Sequence, residues 1–311
     1  MIKIYKPKFW DKKIGLFSIL LFPIALAYII IIFLKKKITK EKKFKTPIIC
    51  IGNIYIGGTG KTPTSIYFGN EIFRSGKNPF IIRRYHQSHI DEYNLIRKKF
   101  KNLIVNKDRI NGLREAEKSN SDIIILDDGF QDYRIKKDLN ILCFNSNQLI
   151  GNGLVIPSGP LRENLSALKN AHIIIINGNK DLNFERKILN INSKLDIYYS
   201  SYVPTNLDQF KNNRLFAIAG IGNPQNFFQL LEKNNLNIHK KLIFPDHYRI
   251  SEKEIKNIIY EASNENCQII MTEKDYFKIN TFKIEKINYL KVSLEIKEKE
   301  KILKKIQSIY D

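Results

Sequence analysis

Short apolar runs alternate with amphipathic stretches along most of the chain, and this pattern predicts an α/β fold. In the first half, the predicted β-strands are at 48–51, 80–82, 103–105, 123–126 and 140–144. Helical stretches lie between them, which is typical of a parallel sheet covered on both faces. Ligands of such sheets bind at the carboxyl ends of the strands. The residues that follow these runs are therefore the first candidates for a site.

A second alternating segment follows in the other half of the chain. Its predicted strands are at 173–176, 215–219 and 269–271, and its predicted helices include 224–233, 251–262 and a lysine-rich amphipathic helix at 297–309. The helix at 251–262 opens with Ser251 and Glu254 in capping-box spacing. Between the two halves, residues 151–163 are rich in glycine and proline, which predicts a linker.

An apolar run precedes both segments. Residues 14–34 carry no charge and are flanked by Lys12-Lys13 and Lys35-Lys36-Lys37. At about 1.5 Å per residue, a helix of this length reaches about 30 Å, the thickness of the hydrocarbon core of a bilayer. We therefore predict a membrane helix; a signal peptide ending near Ala25-Leu26-Ala27 and a buried core helix are the alternatives. Pro23 and the flanking lysines leave open whether the helix spans the bilayer or lies in one leaflet.

A glycine-rich loop follows the first predicted strand. Residues 57–62 are Gly-Gly-Thr-Gly-Lys-Thr, and a helical stretch comes next at 65–75. Backbone N–H groups of such a loop bind phosphate, the lysine reaches the outer phosphates, and the threonine hydroxyl can hold Mg²⁺. The loop is a variant, because Tyr55 stands where the strict pattern has its first glycine; a glycine-rich turn with a solvated lysine is the alternative. The residues predicted to bind the nucleotide are Tyr55, Ile56, Gly57, Gly58, Thr59, Gly60, Lys61 and Thr62.

Paired carboxylates follow the fourth predicted strand, which ends in Leu126-Asp127-Asp128-Gly129. In phosphate-loop enzymes, carboxylates in this place order Mg²⁺ against the β- and γ-oxygens of the nucleotide. We therefore predict a magnesium region formed by Thr62, Asp127 and Asp128. An Asp-Asp-Gly turn without a metal is the alternative.

These motifs divide the chain into three parts. We predict an N-terminal hydrophobic membrane helix with basic flanks at 1–44, a phosphate-loop nucleotide-binding domain at 45–150, and a second, smaller α/β domain at 151–311. The 43% hydrophobic content of the 311 residues is sufficient for two cores. Cys50, Cys143 and Cys267 are odd in number and far apart, which favours buried thiols over disulfides or a zinc site.

The formal net charge of +21 comes mainly from lysine. A charge of this kind favours contact with an anionic membrane surface. Zinc-finger spacing and RNA-binding aromatic signatures do not accompany it, so nucleic acid is not an expected partner.

Together these residues resemble the tetraacyldisaccharide 4'-kinase family, the lipid A 4'-kinases of Gram-negative bacteria. The resemblance covers nearly the whole chain. Besides the apolar run, its motifs are 52–53, 57–63, Asp91-Glu92, Asp108-Arg109, 127–131, 151–153, 157–163, 219–222, Asp246-His247 and 272–275. Two places depart from the family pattern: residues 82–86 are Ile-Arg-Arg-Tyr-His instead of Ser-Arg-Gly-Tyr-Gly, and Asp132 stands in place of a histidine.

The resemblance implies an activity: ATP-dependent phosphorylation of the 4'-hydroxyl of a tetraacylated glucosamine disaccharide 1-phosphate in lipid A biosynthesis. It also implies Mg²⁺, a glycolipid substrate, and catalytic domains on the cytoplasmic face of the inner membrane. The site would lie between two α/β domains. A membrane-associated phosphate-loop ATPase with a regulatory role is the alternative.

Residue roles follow from the same resemblance, position by position. Asp91 and His247 would form the catalytic pair. The charged lining of the substrate site would be Tyr85, Glu92, Arg109 and Arg162. We predict that Asp91 lies in a polar loop of the first domain and His247 in a turn of the second, so that domain closure is needed to bring them together.

Overall fold

The structure is a computed structural model that describes residues 6–246, 248–279 and 287–310. The chain forms two compact units, and each contains a parallel β-sheet with helices. The eight-stranded unit comprises Lys6–Tyr85, Phe100–Ser201 and Ile296–Asp311, and the four-stranded unit comprises His86–Lys99 and Tyr202–Glu295. The predicted α/β class with a parallel sheet is confirmed.

The larger sheet forms from the five apolar runs of the first half and three later segments. Its strands are β1 (Ile48–Gly52), β2 (Pro79–Arg84), β3 (Leu103–Asn106), β4 (Ile123–Asp127), β5 (Leu139–Asn145), β6 (Ile173–Asn177), β7 (Asp196–Pro204) and, late in the chain, β12 (Val292–Ile296). The unit named eight-stranded after this sheet contains β1 to β6, most of β7 and the last residue of β12. The order is β12-β7-β6-β5-β1-β4-β2-β3, with parallel pairing from β7 to β3. Strands β1, β4 and β6 are buried at every position, as expected when both faces of a sheet are covered.

The smaller sheet has the order β11-β10-β8-β9, again with parallel pairing. Its strands are β8 (Leu215–Ala219), β9 (Ile238–Ile243), β10 (Gln268–Thr272) and β11 (Ile287–Leu290). Because successive residues of a strand point to opposite faces, Phe216 and Ile218 enter one core and Leu215 and Ala217 another. Helices therefore have an apolar surface to cover on each face.

Two α-helices precede the first strand, and the others alternate with strands in both units. Those described are α1 (Leu16–Leu20), α2 (Phe22–Ile38), α3 (Lys61–Arg74), α4 (Ile90–Lys99), α5 (Arg109–Lys118), α6 (Leu182–Leu189), α7 (Pro224–Lys233), α8 (Glu252–Asn264), α9 (Glu273–Ile279) and α10 (Lys299–Gln307). The predicted bounds of α7 are the observed ones, and α8 begins with the predicted capping box of Ser251 and Glu254.

The N-terminal apolar run differs from its prediction. Instead of one helix at 14–34, it forms the short α1 and the longer α2. Pro23 explains the break, because it has no N–H to donate to the carbonyl of Ile19. Among the helices of the described residues, none combines the length and the apolar character needed to cross a membrane.

One side of this N-terminal region packs on the eight-stranded unit. Trp10 Nε1 donates to the carbonyl of Pro157 (3.0 Å), Asn152 Nδ2 donates to Ser18 Oγ (3.1 Å), and Ala25 is buried. The other side of α1 is open to solvent. Side chains on that side are 61–79% exposed, namely Leu16, Phe17, Ile19 and Leu20.

The observed units do not coincide with the predicted domains 45–150 and 151–311. The predicted linker at 151–163 packs within the eight-stranded unit, where Val155, Ser158 and Leu161 are buried. Its turns fold the chain back beside the segment after β1, and the N–H of Arg162 donates to the carbonyl of Ile54 (2.7 Å). The prediction of a linker is therefore wrong. The three cysteines are free thiols, with Cys50 and Cys143 buried in β1 and β5.

Candidate active site

The larger sheet places the candidate site at the carboxyl end of β1. From β1 the strand order continues through β4, β2 and β3 on one side and through β5, β6 and β7 on the other. Crossover connections on the two sides of such a strand leave a crevice at its carboxyl end, where ligands of open α/β sheets bind. The glycine-rich loop follows β1, and Asp127 is the last residue of β4.

The glycine-rich loop has a backbone that suits an anion. Gly57 and Gly60 have φ values of 127° and 93°, a region that side chains disfavour. Inside the loop, Asn53 Nδ2 donates to Thr59 Oγ1 (2.9 Å), and the Asn53 carbonyl accepts from Gln131 Nε2 (2.9 Å). Helix α3 begins directly after Gly60, and the first amides of a helix are available to bind phosphate.

Two residues of the predicted loop form hydrogen bonds with other parts of the protein. The Tyr55 side chain is fully buried, and its hydroxyl donates to Asp11 Oδ1 (3.0 Å) and accepts from Lys6 Nζ (2.9 Å). Burial and the Asp11 carboxylate raise the pKa of Tyr55. The N–H of Ile56 donates to the carbonyl of Pro160 (2.8 Å). The Tyr55 hydroxyl and the Ile56 amide are therefore engaged by the protein itself, and the part of these two residues in nucleotide binding stays a prediction.

A cationic cluster surrounds Asp128. Lys61 Nζ lies 3.8 Å from Asp128 Oδ1, and Arg162 Nη1 donates to the same oxygen at 2.9 Å. Arg109 Nη2 donates to the backbone carbonyl of Asp128. Burial alone would raise the pKa of the Asp128 carboxyl, but Lys61, Arg162 and other nearby cations outweigh it and hold the pKa well below its usual range. Burial also lowers the pKa of Lys61, while the Asp128 charge opposes this shift.

Asp127 forms a second group with Thr62. The Thr62 hydroxyl donates to Asp127 Oδ2 (3.0 Å), and both oxygens contact Arg83 Nη1, at 2.7 Å in the case of Thr62. Asp127 Oδ1 is buried and has no hydrogen-bond partner within the described part of the chain. The Thr62 hydroxyl and the Asp127 carboxylate, whose Oδ1 is left open by the described residues, are hard oxygen donors of the kind that Mg²⁺ prefers, so these residues fit the predicted magnesium region.

The structure thus brings together, in one unit, six residues predicted separately: Lys61, Thr62, Arg109, Asp127, Asp128 and Arg162. It adds Arg83, which sequence reasoning had quoted only as part of the departing segment 82–86. The sequence contained a signal for Arg83, because this residue directly follows the apolar run at 80–82. An arginine buried at the end of a strand needs an anionic partner. Tyr85 is partly exposed just after β2, and its N–H donates to the carbonyl of Asn106 (2.8 Å).

The four-stranded unit gathers other motif residues. Lys274 Nζ donates to Glu92 Oε1 (2.8 Å) and to Asp246 Oδ1 (3.1 Å). Asp275, which is buried, accepts from the N–H of Gly220 (2.7 Å) and from Thr272 Oγ1 (2.6 Å). The residues at 272–275 therefore hold the loop after β8, the segment after β9 and helix α4 in one arrangement.

One member of the predicted catalytic pair can be placed on an element of the same unit. Asp91 belongs to α4 and not to a polar loop, although its side chain, like residue 247, lies outside the described residues. Their sequence neighbours Glu92 and Asp246 share Lys274 within one unit. Because residue 247 lies outside the described residues, the predicted need for domain closure to bring the pair together stays a prediction.

Comparison with known proteins identifies relatives over nearly the whole chain. A family model described as Tetraacyldisaccharide-1-P 4'-kinase matches residues 17–310. A protein named Tetraacyldisaccharide 4'-kinase from Pelagibacter ubique (strain HTCC1062) is 40% identical, over 98% of this chain and 98% of its own length. One of the same name from Rickettsia bellii (strain OSU 85-389) is 32% identical, over 90% and 91%.

A solved structure shows the same fold. The "apo" form of LpxK from Aquifex aeolicus in complex with ATP superimposes with a TM-score of 0.74, covering 95% of this chain and 100% of that one, at 23% identity.

Proposed function

The chain belongs to the tetraacyldisaccharide-1-P 4'-kinase family, and on that premise we propose how its residues serve the reaction. The enzyme is an ATP-dependent tetraacyldisaccharide 4'-kinase of lipid A biosynthesis, and its substrate is a glycolipid disaccharide. One observation carries the assignment of the site: Lys61, Thr62, Asp127, Asp128 and Arg162 meet at the carboxyl end of β1.

The nucleotide phosphates bind the glycine-rich loop and the amino end of α3. Phosphoryl transfer needs positioning and charge stabilisation more than covalent chemistry from the protein. Lys61 and Arg162 both form ion pairs with Asp128. The negative charge of a bound polyphosphate would attract the same two cations. Arg109 adds a third cation through its contact with the Asp128 backbone.

Thr62, Asp127 and Asp128 are the residues that would hold Mg²⁺. When bound, the ion neutralises charge on the β- and γ-phosphate oxygens. The oxygens of Thr62 and Asp127 lie 3.0 Å apart, and Asp127 Oδ1 is an acceptor that the described residues leave open. The donor set therefore suits a hard divalent cation.

Asp91 accepts the proton of the 4'-hydroxyl, and His247 orients this carboxylate or shares its proton. A carboxylate or imidazole near the acceptor hydroxyl is the group that such a transfer requires. Lys274 binds Glu92 and Asp246, the sequence neighbours of the two, and this contact is what supports the assignment. Glu92 and Tyr85 complete the charged and polar lining proposed for the substrate.

ADP formation with and without the acceptor tests this function against a regulatory ATPase. In detergent micelles that contain the tetraacylated disaccharide 1-phosphate, we expect ADP and phosphorylated lipid to appear in equal amounts. Micelles without the glycolipid should give little ADP. Equal ADP formation in both micelles, with no labelled lipid, would favour the ATPase.

We also propose that the enzyme works at the cytoplasmic face of the inner membrane and contacts it through α1 and α2. The support is the exposed apolar side of α1, together with exposed Ile24, Ile31 and Phe33 on α2. Lysines follow at the end of α2, where they can meet anionic headgroups. Because the other side of this region packs on the protein, the contact is an in-plane one with a single leaflet.

Replacing Leu16, Phe17 and Leu20 together by serine should weaken binding to phosphatidylglycerol vesicles about 100-fold. If each side chain contributes about 1 kcal/mol when partly inserted, the three amount to about 3 kcal/mol. Vesicle sedimentation measures the effect. Leu182→Ser is the matched control, since Leu182 is also exposed but lies on α6. Unchanged binding of the triple variant would contradict this membrane contact.

A further inference from the structure

Arg83 contacts two of the three side chains that we assign to magnesium. Its Nη1 donates to Thr62 Oγ1 (2.7 Å) and forms an ion pair with Asp127 Oδ2. We propose that the Arg83 guanidinium occupies the cation position of the nucleotide-free enzyme and exchanges with Mg²⁺ when the metal binds. This inference rests on the proposed function, because that function requires a metal at Thr62 and Asp127.

Burial explains why a cation is needed there before the metal arrives. Asp127 is fully buried, and Arg83 is 4% exposed. A buried carboxylate without a partner is strongly destabilising, and an ion pair removes most of that penalty. Arg83 thus balances the charge of Asp127 in the absence of metal. Once Mg²⁺ is present, the carboxylate no longer needs the guanidinium.

The geometry makes the two cations alternatives. Thr62 Oγ1 and Asp127 Oδ2 are 3.0 Å apart. Adjacent ligands of an octahedral Mg²⁺ ion, with bonds of about 2.0–2.1 Å, are also about 3.0 Å apart. Arg83 Nη1 approaches these same two oxygens. A metal that binds Thr62 Oγ1 and Asp127 Oδ2 as adjacent ligands therefore displaces this contact.

The other described cations near the site do not contact Thr62 and Asp127 in the way that Arg83 does. Lys61 and Arg162 both contact Asp128 Oδ1, not Asp127. Arg162 carries the same charge as Arg83. Because Arg162 binds the neighbouring Asp128 and not Thr62, Arg162→Met removes a nearby charge without releasing the predicted metal ligands, and so it is the matched control.

Binding of Mn²⁺ to the nucleotide-free full-length enzyme, followed by electron paramagnetic resonance, tests the exchange. We expect Arg83→Met to bind Mn²⁺ at least about 10-fold more tightly than wild type, because Thr62 and Asp127 become available. Arg162→Met should tighten binding by no more than about 3-fold, through the general loss of one positive charge. Similar effects of the two variants, or no tightening in Arg83→Met, would overturn the exchange.

Two further variants locate the effect. Adding Asp127→Asn to Arg83→Met should remove the gain in affinity, and a gain that persists would show that the metal binds elsewhere, against the proposal. If thermal denaturation shows that Arg83→Met is unfolded, Arg83→Lys replaces it. Lysine carries its charge on a more flexible and more strongly hydrated ammonium, so it should hold the two oxygens less firmly. Tighter Mn²⁺ binding is therefore still expected, and wild-type affinity in this folded variant would overturn the exchange.

The Mn²⁺ binding test can fail or succeed independently of the test of the kinase activity. Wild-type enzyme that transfers phosphate to the glycolipid, together with unchanged Mn²⁺ affinity in the folded Arg83 variants, would keep the kinase and remove the exchange. Tighter Mn²⁺ binding in an enzyme that transfers no phosphate would keep the exchange as a property of the metal site and contradict the function.

Discussion

Lys61→Ala should reduce the kcat of phosphate transfer by about 10² to 10³-fold while leaving the protein folded. Loss of one group that stabilises developing charge typically has an effect of about this size. The fold should persist because Asp128, the partner of Lys61, keeps its 2.9 Å contact with Arg162. The measurement is kcat with saturating lipid, together with a thermal melt.

Lys180→Ala is the control for this variant. Lys180 also belongs to the eight-stranded unit and faces a carboxylate, Glu185, at 3.9 Å, but it is mostly exposed. It should keep wild-type kcat. Transfer at the wild-type rate by Lys61→Ala would remove the phosphate-binding role of the loop.

Asp91→Ala and His247→Ala should each lower kcat by about 10² to 10⁴-fold, the usual range for loss of general acid–base catalysis. If the two side chains act as one unit, the double variant should be scarcely slower than the slower single variant. Because histidine titrates near neutrality, the wild-type rate should fall as the pH drops through its range. The set of measurements is kcat against pH for the four proteins.

Asp208→Ala is a suitable control, since Asp208 is an exposed carboxylate of the same four-stranded unit, paired with Lys211. It should leave kcat and its pH profile unchanged. Fully multiplicative losses in the double variant, or near wild-type kcat in Asp91→Ala, would exclude the pair from the mechanism.

The sheet could be predicted from the sequence where burial is complete. β1, β4 and β8 are apolar runs buried on both faces, so hydrophobicity alone marks them. β9 was missed because its exposed positions carry His239 and Lys241, which interrupt the apolar run. Helix α4 was missed for a related reason, since its sequence is mostly polar and resembles a solvated loop.

The site could be predicted as residues but not as contacts. Gly60, Lys61 and Asp127 lie at strand and helix ends, so spacing along the chain was enough to find them. The pairing of Asp127 with Arg83 and of Asp128 with Arg162 joins segments far apart in sequence. Whether such a residue faces the site depends on packing, and Tyr55 shows this, because its hydroxyl is held by Asp11 instead.

The most direct test of the kinase assignment is the position of the transferred phosphate. The purified full chain would be incubated with ATP and the tetraacylated disaccharide 1-phosphate, and the lipid product analysed by mass spectrometry and phosphorus NMR. We predict one added phosphate, a monoester at the 4'-hydroxyl, formed by wild type and not by Lys61→Ala. A product phosphorylated elsewhere, or ATP consumption without a phosphorylated lipid, would contradict the assignment.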